Sequence, residues 1–332
     1  MNAETTKPTA QAEASNAGID PLSAKIKAIE TRAIERSKRR RAQELLPFPP
    51  EAKAEPAIPE QIAQLIEFPQ WPDDRRATAQ AVFRSALFPA VSFRGGRPYL
   101  DGERLCSVEG VEVFFTGKRF DQSDLDVYLE LLRIARKTPF GMECRFSAHS
   151  LLKALGRQTG NKDHKWLHSV IIRLCAGLVD MTDHQIRYFG GLVDGGTKEE
   201  GSRHYKVRIN IDFACFFKAG LWASLDNRQR CALGRNQTAK ALHAYYSTHV
   251  APGPHGFEKL AGLIGLGNKT RRNLRANLIE AHDELKQIGF LSGYEVREDT
   301  IKPTLNHTPS QNRHLVQKIV KARRARSPED TG

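Results

Sequence analysis

Two stretches of this chain repeat one order of apolar periodicities, and that order leaves few folds open. In the first, Val111, Val113 and Phe115 alternate as a strand and FTGKRFDQ forms a turn. Ser123 or Asp124 is placed to cap a helix reaching about Lys137, with Leu125, Tyr128, Leu129, Leu132 and Ala135 on one stripe. TPFG breaks that helix, CRFS reads as a short strand, and Ser147 is the expected N-cap of a second helix that stops at Gly156. The polar turn RQTGNKD leads into a third helix from about Lys162 to Val179. A hairpin follows, with DHQIRYFGGLV as one arm and HYKVRINI as the other. In the second arm Tyr205, Val207, Ile209 and Ile211 alternate with Lys206, Arg208 and Asn210. Its tip, DGGTKEEGSR, is long, glycine-rich and charged. The plan then recurs. A helix covers about Gln237 to His249, and FEKLAGLIGLG is a second helix closed by glycine. Asn268 caps a third helix from Lys269 to Gln287, and GFLSGYEVRED supplies a strand pair. Helices, turn, helix and hairpin are the parts of a winged helix. The spacing therefore predicts an α+β chain with two tandem winged-helix domains, at 71–222 and 223–305.

The segments outside these domains differ in composition. Residues 1–24 have no periodic apolar pattern and read as disordered, residues 22–46 have the spacing of a basic helix, and the Pro-rich segment LPFPPEAKAEPAIPE reads as a linker. An arm at 1–70 and a basic tail at 306–332 are thus expected to flank the body. Charge is concentrated in the same places. Residues 25–41 hold eight basic and two acidic residues, and residues 313–326 hold six basic and none acidic. With 51 Lys and Arg against 38 Asp and Glu in all, the net charge is +13, the footprint of a protein that binds a polyanion. No run approaches the roughly 18 apolar residues of a membrane span. The N-terminus lacks the apolar core of a secretory signal, and the five cysteines form no C-x-x-C pair, so a reducing cytoplasm is the expected compartment.

The third helix of each repeat is where the charge meets the pattern. At about 100° per residue, Leu274, Leu278, Ala281, Leu285 and Ile288 fall on one line that must face a core. Asn268, Lys269, Arg272 and Arg275 point away from it, with Arg271 on the flank. Cations at a helix N-terminus oppose its dipole, and a phosphate backbone is the natural source of the missing negative charge. A guanidinium fork can grip a phosphate or take both acceptors of a guanine edge. The earlier helix has a similar wheel, with Leu167, Val170, Ile171, Leu174 and Leu178 inward and Lys162, Lys165, His168, Ser169 and Arg173 outward. Arg203, Lys206 and Arg208 on the adjoining hairpin are candidates for flanking phosphates, and Trp166 reads as packing.

Catalytic signatures are weak. GLIGLGNKT nearly spells a phosphate-binding loop, but Asn268 displaces Lys269 by one residue and the preceding segment is helical. No His-x-His pair of the kind rolling-circle nucleases need is present, and no nucleophilic triad, metal site or cofactor motif stands out. A DNA-nicking enzyme is thus disfavoured, whereas a transcriptional repressor would use the same helices.

Several segments in one order resemble the TrfA-type plasmid replication initiators: WPDDRRATAQAVFRSALF, FTGKRFDQSDLDVYLELLRIARKTPFG, CRFSAHSLLKALG and ALHAYYSTH followed by LAGLIGLGNKTRRNLRANLIEAHDELKQIGFL. The resemblance spans about residues 68–296. It implies two winged-helix domains that bind direct repeats, or iterons, in double-stranded DNA at a plasmid origin. It also implies origin opening with the host replication initiator, loading of the replicative helicase, and no nucleotide hydrolysis. Dimers inactive for initiation would exchange with monomers that bind iterons. Gln64, Leu65 and Phe68 stand where the family carries a sliding-clamp peptide, although Glu67 occupies a position where that peptide wants an apolar residue.

Overall fold

The computed structural model describes residues 31–32, 35, 66–93, 96–199, 201–267 and 270–306. Nearly all of the basic arm at 25–41, Gln64, Leu65, Asn268, Lys269 and the tail from 307 lie outside the described residues. The chain is mixed α and β. It opens with β1 (Arg75–Ala79), α1 (Gln80–Phe83), β2 (Tyr99–Leu105), β3 (Val111–Lys118) and α2 (Gln122–Ala135). Then come β4 (Glu143–Ser147), α3 (Ala148–Ala154), α4 (Asn161–Ala176), β5 (Leu178–Asp183), β6 (Ile186–Gly191), β7 (Val193–Lys198) and β8 (His204–Ile209). A 3₁₀ turn at Ile211–Phe213 enters α5 (Ala214–Lys218), followed by β9 (Trp222–Asp226), α6 (Asn227–Ala232) and α7 (Gln237–Tyr246). The last part holds β10 (His255–Gly256), α8 (Phe257–Leu263), α9 (Arg271–Gln287), β11 (Leu291–Arg297) and β12 (Thr300–Leu305). All strand pairs are antiparallel, in sheets ordered β1-β9, β2-β3-β5-β6, β4-β8-β7 and β10-β12-β11. No described helix is long and apolar enough to cross a membrane.

Helix α2 forms as its apolar spacing requires, but its cap sits earlier than expected. The Asp121 carboxylate accepts from the Ser123 and Asp124 amides, and Asp124 reaches back to the Asp121 amide, a reciprocal capping box. Its expected stripe is buried, and so are Val127 and Leu131, because the helix runs through the middle of the first core. Ser147 caps α3 as expected, accepting from the Ser150 amide. Helix α4 ends at Ala176 rather than near Val179. Gly177 lies against Phe120, where a Cβ would come within 2.6 Å of the ring, and the chain turns extended there into β5.

The single long hairpin expected after α4 is two hairpins in two sheets. Strand β6 pairs with β5, placing Asp180 opposite Phe189. The glycine-rich segment expected as its tip instead supplies β7, which pairs with β8 and places Gly196 opposite Val207. A Cβ on Gly196 would lie 2.1 Å from the Lys206 carbonyl oxygen, so here glycine permits a close strand approach rather than a turn.

Two apolar cores result. The first runs from Phe68 to Leu225 with Ala244, and the second from Leu233 to Leu305 with Ala90. The expected domain limits shift accordingly. Phe68 is 3% exposed and stacks on Phe140 with ring centroids 3.5 Å apart, and the Phe140 amide donates to the Ile66 carbonyl, so the body begins before residue 71. The limit at 222/223 falls inside β9, whose Leu225 belongs to the first core. The cores meet at Asp126 on α2. Its carboxylate takes Arg230 Nε at 2.6 Å and Lys240 Nζ at 2.7 Å, while Arg230 also donates to the Lys240 carbonyl and to Gln122 Oε1. Burial raises the affinity of this carboxyl for a proton, but the two cations outweigh it and hold Asp126 below the usual carboxylate range.

In the second core, the fully buried His282 donates Nδ1–H to the Leu278 carbonyl and accepts from the Tyr246 hydroxyl at Nε2, 3.0 Å away. Burial lowers its pKa to about 4.

Two outcomes follow from these buried groups. Asp126→Ala leaves Arg230 buried without its counter-charge and is expected to destabilise the chain by about 3–5 kcal/mol, read as a lower urea midpoint; an unchanged midpoint would contradict this. A histidine held neutral in the fold takes up a proton on unfolding between pH about 6.5 and its folded pKa of about 4, so stability falls as pH drops through that window. Thermal unfolding from pH 7.5 to 4.5 should show a falling Tm, with His282 contributing about 1.4 kcal/mol per pH unit below 6.5. His282→Gln should flatten the slope, and an equal slope in both proteins would remove this explanation.

Candidate nucleic-acid interface

Helix α9 carries the stronger of the two cationic faces. Thr270 rather than Asn268 is its N-cap, with Oγ1 accepting from the Asn273 amide at 3.4 Å. Leu274, Leu278, Ala281 and Leu285 are buried as the wheel requires, and Arg271, Arg272 and Arg275 are exposed in the first two turns. That first turn holds no acid. The three arginines differ in their contacts. Arg271 is bonded to Asp299, and both side chains are solvent-exposed. Arg275 donates to the Glu298 carbonyl at 2.8 Å and lies over the Phe257 ring, 5.3 Å from its centre. Arg272 makes no ion pair among the described residues. Glu298 and Asp299 form the turn between β11 and β12. The β11–β12 hairpin beside α9 is therefore acidic at its tip, a feature the wheel of α9 alone could not reveal. Paired exposed ions separate easily, since each regains its hydration and salt screens their attraction.

Helix α4 buries Leu167, Val170, Ile171 and Leu174 and exposes Lys162, Lys165, His168 and Ser169. Two expectations on this helix are corrected. Leu178 is not on it but sits exposed in β5. Arg173 turns inward, with Nη2 at 2.7 Å from Asp124 Oδ1, and its side chain is 13% exposed. It braces α4 against α2 and leaves the outward set. Ser169 Oγ donates to the Trp166 carbonyl. Trp166 packs as expected, under the Arg157 guanidinium at 3.7 Å, and Arg157 is also paired with Asp163. In the adjoining sheet, Lys206 lies opposite Arg145 on β4 and Thr197 on β7, on the outer face. Arg208 is paired with Glu143, at 3.4 Å. Arg203 is exposed just ahead of β8 and shares a cleft with Lys165. Arg145 and Lys198 are cations that the sequence reading missed. The alternation of Glu143, Arg145 and Ser147 against Cys144 and Phe146 was the available signal for the first; the second was hidden in the glycine-rich segment read as a tip.

Each face thus joins an amphipathic helix to a short antiparallel sheet, with guanidinium or ammonium groups free to meet acceptors. Among the described residues, no group of His, Cys, Asp and Glu is arranged to hold a metal ion.

A model of the TrfA protein family matches residues 53–304. The plasmid replication initiator protein TrfA of Escherichia coli is 24% identical over 255 residues, covering 74% of this chain; the chain spans 65% of that relative's length. Among solved structures, domains 2 and 3 of RctB superpose with a TM-score of 0.45 at 12% identity, covering 69% of this chain and all of that one. The Pi initiator protein in complex with iteron DNA gives a TM-score of 0.43 at 10% identity, covering 56% of this chain and 95% of that one.

Asp299 competes with any phosphate for Arg271. Asp299→Asn should therefore tighten duplex-DNA binding about two- to tenfold at low salt, measured by fluorescence anisotropy. Weaker binding would show instead that the carboxylate positions Arg271.

Proposed function

We propose that this chain, which belongs to the TrfA protein family, is a plasmid replication initiator that binds repeated sites in double-stranded DNA at its origin. The observation that carries the reading is the exposed, cation-bearing face of α9, set on a buried leucine stripe and beside a short hairpin. The name of the Escherichia coli relative supports the activity. In this reading β4, α3, α4 and the β7–β8 hairpin form one winged helix, and α7, α8, α9 and the β11–β12 hairpin form a second. Arg272 and Arg275 read base edges in a major groove, with Arg271 and, outside the described residues, Asn268 and Lys269 beside them. Lys162, Lys165 and Ser169 meet the neighbouring groove, and Arg203 and Lys206 hold its phosphates.

Binding of several copies strains an adjacent A+T-rich segment until it opens, and the host initiator and replicative helicase act there. The protein contributes binding energy and no bond-making step, in the bacterial cytoplasm, and the monomer is the active form. A sliding-clamp contact through Gln64, Leu65 and Phe68 would have to withdraw Phe68 from its stack on Phe140, so it requires that segment to undock.

Footprinting of the purified chain on the repeats of its own replicon, with permanganate to detect unpaired thymines, tests the proposal. Protected repeats with reactive thymines alongside support an initiator; protection with no reactive thymine in the presence of host initiator makes it a repressor. Arg272→Ala should cost about 1–3 kcal/mol on repeat DNA and relax preference at one base pair. An equal loss on every sequence would reassign Arg272 to the phosphate backbone.

A further inference from the structure

Between α4 and the β7–β8 turn lies a cleft of about 310 Å³ that the helix wheels did not anticipate. Lys165, Lys198 and Arg203 line it, with His164 and His168, and no carboxylate among the described residues does. Tyr205 forms its floor, stacked on Phe146 on one side, within 3.3 Å of His168 Nδ1 through its hydroxyl, and with Lys198 Nζ 5.7 Å from its ring centre. Two further features single the cleft out. His164 Nε2 is buried and has no hydrogen-bond partner, an arrangement that costs free energy unless something binds there. Asn161, which also lines the cleft, begins a 16-residue helix whose N-cap, Gly160, offers no side-chain acceptor to the first amides.

Three cations, an orphaned imidazole nitrogen and an uncapped helix start, with no acid lining the cleft among the described residues and the first-turn Asp163 already paired with Arg157, match one chemistry: a phosphate group. We infer that this cleft seats a single backbone phosphate of the bound duplex and fixes how deeply α4 enters its groove. The inference rests on the DNA-binding reading above and deepens it, since it separates the two cationic faces by task. The α9 face is edged by Glu298 and Asp299, which discourages tight phosphate contact, whereas the α4 cleft is built for it. Through its Nε2–H, His164 would donate to one phosphate oxygen while the lysines and Arg203 neutralise the others.

The test uses the full chain and the variants Lys198→Gln and Arg203→Gln, both at exposed positions, with unaltered melting as the folding control. On random-sequence duplex, each variant should lower the slope of log affinity against log salt by about one. On repeat DNA carrying one methylphosphonate at a time, a single position should weaken the wild type about tenfold and leave Lys198→Gln unaffected. Inorganic phosphate should shift the His164 imidazole signals of the wild type by NMR, and not those of Lys198→Gln. Unchanged slopes with both variants, or equal methylphosphonate losses in wild type and variant, would overturn the inference. A phosphate-induced shift without any change in DNA binding would also overturn it and assign the cleft to a free phosphate ligand. Loss of slope on random duplex with no preference for the repeats would leave the cleft standing and remove the initiator reading.

Discussion

One carboxylate holds the two halves of this molecule in register. Asp126 leaves α2 to meet Arg230 from α6 and Lys240 from α7, and Arg230 is 2% exposed. A charge so buried depends on its partner, because without one it keeps the desolvation penalty and loses the attraction that offsets it. What hangs on this link is mechanical. Helix α4 packs on α2, and Arg173 reinforces that contact through Asp124. Helix α9 packs on α7, and Asn236 at the start of α7 donates to Glu284 on α9 at 2.8 Å. From one cationic helix to the other, the path therefore runs α4, α2, Asp126, α7, α9. The joint is completed by apolar and backbone contacts. The Ala90 amide donates to the Ile264 carbonyl, and Arg84 donates to the Thr248 carbonyl. Gly265, at φ +61°, lets its turn lie against Pro89, where a Cβ would come within 2.6 Å.

The two cationic faces solve the same electrostatic problem in different ways. Cations at a helix start repel its positive end, so an isolated fold needs counter-charge nearby. At α9 it comes from the adjacent β11–β12 hairpin, through Asp299 and the carbonyl of Glu298. At α4 an acid lies in the first turn, Asp163, but Arg157 occupies it from above Trp166. The first arrangement keeps arginines extended and exchangeable, which suits the base-reading role proposed for them. The second leaves Lys162 and Lys165 without a paired acid among the described residues.

Much of this was legible in the sequence where local chemistry decides. The leucine stripes of α4 and α9, the Ser147 cap, the alternation of β8 and the glycine stop after α8 all follow from spacing, since each depends on neighbours three or four residues away. Thr270 shows how a cap can still be misplaced: Asn268 and Thr270 both qualify by type, and only the backbone path chooses. What could not be read was set by distant partners. Strands β1 and β9 pair across 150 residues of intervening chain, as Arg75 with Asp226, and neither RRATA nor WASLD announces that match. Glycines at 190, 191, 195 and 196 look like a turn in one dimension, and only the closeness of Gly191 to Cys175 and of Gly196 to Lys206 shows that two of them are contact points. Arg173 lies on the polar side of a wheel, yet the depth of Asp124 draws it inward.

The central claim is that α4 and α9 meet one duplex together. It is tested most directly by cutting DNA from the helices themselves. An iron chelate attached to Lys162→Cys or to Ala276→Cys, in a background where exposed Cys106 and Cys231 are serine, generates hydroxyl radicals where each helix lies. The proposed reading predicts two clusters of strand cleavage within one repeat, on the same face of the duplex and separated by about one helical turn, roughly 10 base pairs. Cleavage from only one of the two positions, or clusters half a turn apart on opposite faces, would contradict it.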